Sequence, residues 1–139
     1  MFLLEKAKVY AEFFENLSEE NISTLDKFCT KDIFFKDPFN SFTGLEKFKK
    51  IFHKMFLDTK NPKFFIRDVC LSSRTAYIRW NFRYGKNNSN IEGVTEIAFN
   101  ENGEIESHID HWDSASQIFV RIPIIKYFIK FLMNKLSIE

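Results

Sequence analysis

The residues best suited to chemistry lie together in the segment 105–112, Ile-Glu-Ser-His-Ile-Asp-His-Trp. In an extended chain successive side chains alternate, so His108, Asp110 and Trp112 share one face while Ser107, Ile109 and His111 share the other. If the first face looks into the fold, an imidazole and a carboxylate stand two residues apart beside a large aromatic. A carboxylate withdrawn from water is either pushed toward its protonated form or paired with a cation, and both arrangements suit a general acid or base near neutral pH. The same residues could equally form a satisfied structural pair, or turn to solvent and leave Ile109 as the core residue. Asp37 is a second candidate, because a carboxylate at the end of a β-prone run and directly before Pro38 is held on a rigid turn. Asp-Pro is also an ordinary turn dipeptide. A metal site built on His108 and Asp110 is not expected: His111 points the other way, and two ligands are too few for zinc.

The elements that must position these groups follow from the hydrophobic periodicity. Leu4, Ala7, Ala11, Phe14 and Leu17 recur at helical spacing, as do Ile22, Leu25 and Phe28 after a polar break at 18–21. The run 33–36 reads as a short strand ending at Asp37-Pro38. Phe48, Ile51, Phe52, Met55 and Phe56 mark a third helix after Thr43-Gly44. From Phe64 the period changes to two, and in 77–84 Ile78, Trp80, Phe82 and Tyr84 face one way while Arg79, Asn81 and Arg83 face the other. A polar loop at 85–90 precedes a strand over 94–100, which turns at Asn102-Gly103 into the strand 105–112. Helices first and strands afterwards predict an α+β domain with the helices on one face of a curved antiparallel sheet.

Composition removes several classes of function. The 139 residues suffice for one domain. A formal net charge of +1 lacks the basic bias of a nucleic-acid binder, so no nucleic-acid partner is expected. Only 4 glycines are present, with no phosphate-loop or dinucleotide pattern, so no nucleotide cofactor is expected. Cys29 and Cys70 form no disulfide framework and read as reduced, buried thiols. Glu5, Lys6 and Lys8 interrupt any leader-like apolar run, and no membrane-length apolar window exists; a cytoplasmic protein is the expectation.

Phe34-Phe35-Lys36-Asp37-Pro38-Phe39, Gly44 opening a helix, Trp80-Asn81-Phe82, the stretch 93–99, Asn102-Gly103-Glu104-Ile105 and His108-Ile109-Asp110-His111-Trp112-Asp113 together resemble the nuclear transport factor 2-like superfamily. More narrowly, they resemble its SnoaL-like, ketosteroid-isomerase-related branch. The resemblance covers about residues 5 to 120. It implies a cone: a strongly bent antiparallel sheet wrapped by three N-terminal helices, a deep apolar pocket, and frequent homodimers. In the ketosteroid isomerases an aspartate after the first strand is the general base, and Asp37 falls there. A tyrosine of the first helix donates to the developing oxyanion, and Tyr10 matches it. The second donor is a protonated aspartate on a later strand; Thr95 takes that place here, with Glu96 facing away. A threonine hydroxyl is a poorer oxyanion partner, a departure from the steroid isomerases.

The resemblance thus implies a small, largely apolar ligand in an aromatic pocket lined by Tyr10, Trp80, Phe82, Thr95 and Trp112, with Asp37, His108 and Asp110 as its acid/base groups. An enzyme of isomerase, cyclase or hydrolase type and a non-catalytic binding or dimerisation module both remain open. The chain divides into this domain over 1–120 and an extension over 121–139. In the extension Pro123 fits a first helical turn, Ile122, Ile125, Ile129, Leu132 and Leu136 follow helical spacing, and Lys126, Lys130 and Asn134 make one polar edge. Such a helix either packs on the domain or a dimer partner, or lies on an anionic membrane surface.

Overall fold

The computed structural model describes residues 2–117 and 125–138. Helix α1 (Phe2–Glu15) buries Ala7, Tyr10, Ala11 and Phe14, one stripe at helical spacing. A 3-10 turn (Ile22–Lys27) buries Ile22 and Leu25. Helix α2 (Leu45–Asp58) buries Leu45, Phe48, Lys49 and Phe52. It starts at Gly44, whose φ of 118° is one that a residue with a Cβ rarely adopts. Lys49 ties α2 to the 3-10 turn through Asp26 at 2.6 Å and also reaches Glu46, at 3.3 Å. These carboxylates raise the Lys49 pKa, Asp26 foremost.

Six strands follow or interleave: β1 (Cys29–Lys36), β2 (Ser41–Thr43), β3 (Lys63–Ser72), β4 (Thr75–Tyr84), β5 (Ser89–Phe99) and β6 (Ile105–Trp112). They form one sheet in the order β2-β1-β6-β5-β4-β3. Every neighbouring pair is antiparallel except β1 and β6, which run parallel. The expected bent antiparallel sheet is present, with β1–β6 as its one parallel pair among the described residues. Register breaks in β1, β3 and β6, of the kind that bend a strand, curve the sheet round α1 and α2. Tyr10, Phe35, Phe48, Ile22, Leu25, Ile33, Ile97 and Ile105 are fully buried between the layers. Each such side chain contributes about 1.5–3 kcal/mol by leaving water.

Strand boundaries depart from the sequence expectation at two places. β1 begins at Cys29 and β5 at Ser89, because pairing with β6 and β4 carries polar residues into the sheet that propensity alone leaves in loops. Cys29 is buried but Cys70 is exposed, which corrects the expectation for the second thiol. The cause is the break between Ile66 and Asp68, which inverts the alternation of β3: Phe64 and Ile66 face inward before it, Val69 and Leu71 after it. The described part of the domain closes with the short helix α3 (Ser114–Gln117). Helix α4 (Ile125–Leu136) forms in the C-terminal extension, whereas the expected roles of Ile122 and Pro123 lie outside the described residues.

Candidate acid/base and ligand site

Alternation along β6 turns His108, Asp110 and Trp112 to the inner face, with His108 only 3% exposed. His111 points outward, where its Nε2 meets Glu96 at 3.2 Å. Four rings enclose the His108 imidazole, those of Tyr10, Phe14, Phe35 and Phe48, with centroids 4.9–5.8 Å away. Its polar atoms therefore depend on protein partners. Nδ1 is 2.8 Å from the Tyr10 hydroxyl and Nε2 is 2.9 Å from Asp110 Oδ1.

Sheet register extends this pair into a chain of hydrogen bonds. Thr95 on β5 stands opposite Asp110, and its hydroxyl is 2.6 Å from the same Oδ1. The Trp80 indole on β4 is 2.8 Å from that hydroxyl. At the other end the Cys29 thiol lies 3.8 Å from the Tyr10 oxygen. An indole N–H can only donate, so the Thr95 oxygen accepts from Trp80 and its proton goes to Asp110. Asp110 Oδ1 accepts again from His108 Nε2–H. Nδ1 is then an acceptor and takes the Tyr10 proton, and the Tyr10 oxygen accepts the Cys29 S–H. Every proton in the chain is thus directed, by steps, toward Asp110.

Burial holds the far end of the chain in its protonated form. It raises the Tyr10 pKa well above its usual 10.0, with the Cys29 thiol beside it adding to the effect. Burial likewise pushes Cys29 up to about 12, against a smaller opposing effect of its hydrogen bond to Tyr10.

Gly93 gives Trp80 its position. The two stand opposite each other across β4 and β5, and a Cβ at residue 93 would fall 2.5 and 2.6 Å from two atoms of the indole. The ring lies where a side chain at 93 would be, and so reaches diagonally to Thr95. In the sequence this glycine precedes the expected strand 94–100 and opens the stretch 93–99 that carries the family resemblance. A glycine inside a strand, opposite a tryptophan, was the available signal.

Two adjoining spaces open beside Asp110. The inner one, about 20 Å³, has room for about one water and is lined by Tyr10, Phe14, Phe64, Trp80, Thr95 and His108 among others. The outer one, about 400 Å³, has the size of a small-molecule site and is walled by Phe39, Phe52, Phe64, Phe82, Tyr84 and Trp112 among others. Phe52, Phe64, Trp80 and Asp110 face both. Asp110 Oδ1 holds two bonds, while Oδ2 has no hydrogen-bond partner among the described residues. The structure thus brings Tyr10, Trp80, Thr95, His108 and Asp110 together, with Phe82 and Trp112 on the outer wall.

Asp37 stands apart from that chain. It lines the outer space, but Oδ1 accepts from the backbone N–H of Phe39 and of Asn40, at 2.8 and 2.6 Å. The Asn40 amide reaches both carboxylate oxygens, at 3.1 and 3.2 Å. Its charge is directed into its own turn at the rim. Among the described residues no three His, Cys, Asp or Glu side chains cluster as a metal site would require.

A curved six-stranded sheet wrapped by two N-terminal helices and a 3-10 turn, enclosing polar groups within an aromatic funnel, defines the nuclear transport factor 2-like class. The SnoaL-like domain model matches residues 10–108, and the chain belongs to that family. Among solved structures it is similar to an NTF2-like protein of unknown function from Burkholderia pseudomallei (14% identity, 88% of this chain and 96% of that one, TM-score 0.70). It is also similar to a SnoaL-like family member from Agrobacterium tumefaciens (12% identity, 81% and 99%, TM-score 0.68). A third is a protein of ketosteroid isomerase-like fold from Catenulispora acidiphila, solved in complex with trimethylamine (15% identity, 82% and 89%, TM-score 0.67). At these identities the likeness is one of fold. No curated protein matches the chain.

Proposed function

We propose that the protein binds a small, largely apolar molecule in the outer space and that Asp110 is the group that takes its proton. The observation that carries this reading is the asymmetry of the carboxylate. Oδ1 is fixed by His108 and Thr95, while Oδ2 is without a hydrogen-bond partner among the described residues on a side chain that lines both spaces. In the forward step Oδ2 removes a proton from an acidic C–H, O–H or N–H of the bound molecule, the freed electron pair stays on the molecule, and the donors to Oδ1 keep the carboxyl in place. Ligands offering only acceptors face a carboxylate oxygen with nothing to give it. A protonated amine also suits a carboxylate ringed by aromatic faces, and trimethylamine is the molecule in the Catenulispora acidiphila structure.

Binding without catalysis is the second reading, favoured by a specific observation. The proton of Tyr10, that of Thr95 and the indole N–H of Trp80 all have acceptors inside the protein, so none of them faces a developing oxyanion. Native mass spectrometry of the purified protein identifies any carried ligand. Incubating that ligand class with the protein in D2O then tests proton transfer. Deuterium entering the ligand, abolished in Asp110→Asn, supports the acid/base reading. The asparagine carbonyl preserves both Oδ1 bonds, so the variant folds. Tight binding with no exchange leaves binding alone. Exchange and binding equal to wild type in Asp110→Asn refute the assignment to Asp110.

A further inference from the structure

The C-terminal extension differs in charge from the domain before it. Residues 1–113 carry 16 Lys and Arg and 18 Asp and Glu, whereas residues 114–139 carry four Lys and Arg and a single acid, the last residue Glu139. Within this basic stretch lies α4, whose Phe128, Phe131 and Leu136 are 64%, 60% and 84% exposed, and whose Leu132 and Met133 are exposed as well. At 100° per residue, Lys126, Lys130 and Asn134 occupy one narrow edge, and the remaining positions, mostly aromatic and aliphatic, sweep about 240°. A helix that docks on one face of a protein needs a stripe of roughly 100°. This one is apolar over more than twice that arc.

From this we propose that α4 lies on the surface of an anionic lipid bilayer, with its aromatic face among the acyl chains and its lysines at the headgroups. Three observations select this occupant. The apolar arc is too broad for a single docking face, and bulk lipid can cover it all. The extension's excess of cations, four against one acid, complements negative headgroups, whereas a second copy of the same helix would bring like charges together. Lys135, the one cation within the apolar arc, has its Nζ 5.8 Å from the Phe131 ring centroid, an arrangement in which the stem lies along apolar surface and the ammonium reaches the interface. The helix lies on the membrane and does not cross it: its 12 residues span about 18 Å against a hydrocarbon core of about 30 Å. No helix among the described residues is long and apolar enough to span.

The test is co-sedimentation of the full chain with vesicles of phosphatidylcholine alone and of phosphatidylcholine mixed with phosphatidylserine, at low and high salt. The proposal expects binding to the mixed vesicles only, weakened by salt. Near such a surface each lysine contributes roughly fivefold, so Lys126→Glu/Lys130→Glu lowers partitioning by about 25-fold or more. Phe128→Ser/Phe131→Ser abolishes binding while the thermal unfolding curve stays unchanged, since both rings are exposed. Three results overturn it: no vesicle binding, binding indifferent to phosphatidylserine or to the lysine reversals, or a dimer in sedimentation velocity that Phe128→Ser/Phe131→Ser dissolves while vesicles are ignored. The last would show that a second copy covers the helix.

Discussion

Thr95 offers the sharpest test of the hydrogen-bond chain, because hydrophobic burial and hydrogen bonding predict opposite orders for two conservative replacements. Its side chain is buried, accepts from Trp80 at 2.8 Å and donates to Asp110 at 2.6 Å. Thr95→Val keeps the shape and exchanges the hydroxyl for a methyl, which by burial alone gains up to about 1 kcal/mol. It also leaves the buried indole N–H without an acceptor, at about 1–3 kcal/mol, and removes a bond to the Asp110 carboxyl oxygen that contributes about 1–3 kcal/mol. The net expectation is a loss of about 2–4 kcal/mol, or roughly 6–20 °C in Tm for a chain of this size. Thr95→Ser keeps both bonds and loses one methyl, about 1 kcal/mol. Urea titrations followed by tryptophan fluorescence and circular dichroism give both values. A valine variant as stable as the serine variant, or more so, would mean that the Trp80–Thr95–Asp110 connection carries no net energy, and the ordered carboxylate of the proposed function would lose its support.

Other outcomes follow from the same geometry. Gly93→Ala places a methyl inside the Trp80 ring, so the indole must move; a loss of about 1–3 kcal/mol, together with a changed near-ultraviolet circular dichroism signal, is expected, and an unperturbed spectrum would contradict the close approach. With a thiol reagent at pH 8, exposed Cys70 reacts at once, while Cys29, held protonated by burial, reacts only after denaturation. Cys29 also predicts alkaline lability. Its thiol titrates at about 12 when folded against 9.0 ordinarily, so between those values the unfolded chain has released a proton that the folded one retains. Stability therefore falls with rising pH across that window, by at most about 1.4 kcal/mol per unit. Tyr10 acts in the same sense above pH 10, and Cys29→Ser should flatten the lower part of the decline.

The site was legible where local pattern decides and opaque where pairing between distant segments does. Alternation in 105–112 grouped His108 with Asp110 and Trp112, and in 77–84 Trp80 with Phe82, while which face of 105–112 turns inward stayed open until the structure placed His108 in the core. Nothing in either strand announces that β1 runs parallel to β6, because that pairing joins segments some seventy residues apart. The inverted alternation of β3 was visible in the uneven spacing of Phe64, Ile66 and Val69, yet its consequence for Cys70 needs the partner strand. Asp37 was legible as a turn residue, and the structure shows its carboxylate bonded within that turn. For Thr95 the family resemblance supplied the position, whereas its partners depend on a tryptophan two strand positions away across the sheet.

The floor of the outer space is one side chain thick. Phe52, Phe64, Trp80 and Asp110 face it from one side and the inner space from the other. How far a guest molecule can penetrate is therefore set by rotamers and side-chain volumes, and the backbone frame need not change for the cone to become deeper. Shortening Trp80 would join the two spaces and carry the reach of a ligand down to the Tyr10 hydroxyl, whereas enlarging Phe52 or Phe64 would raise the floor. Guest length and fold stability are thus written at largely separate positions, the first in this thin partition and the second in the Ile and Phe layer beneath it.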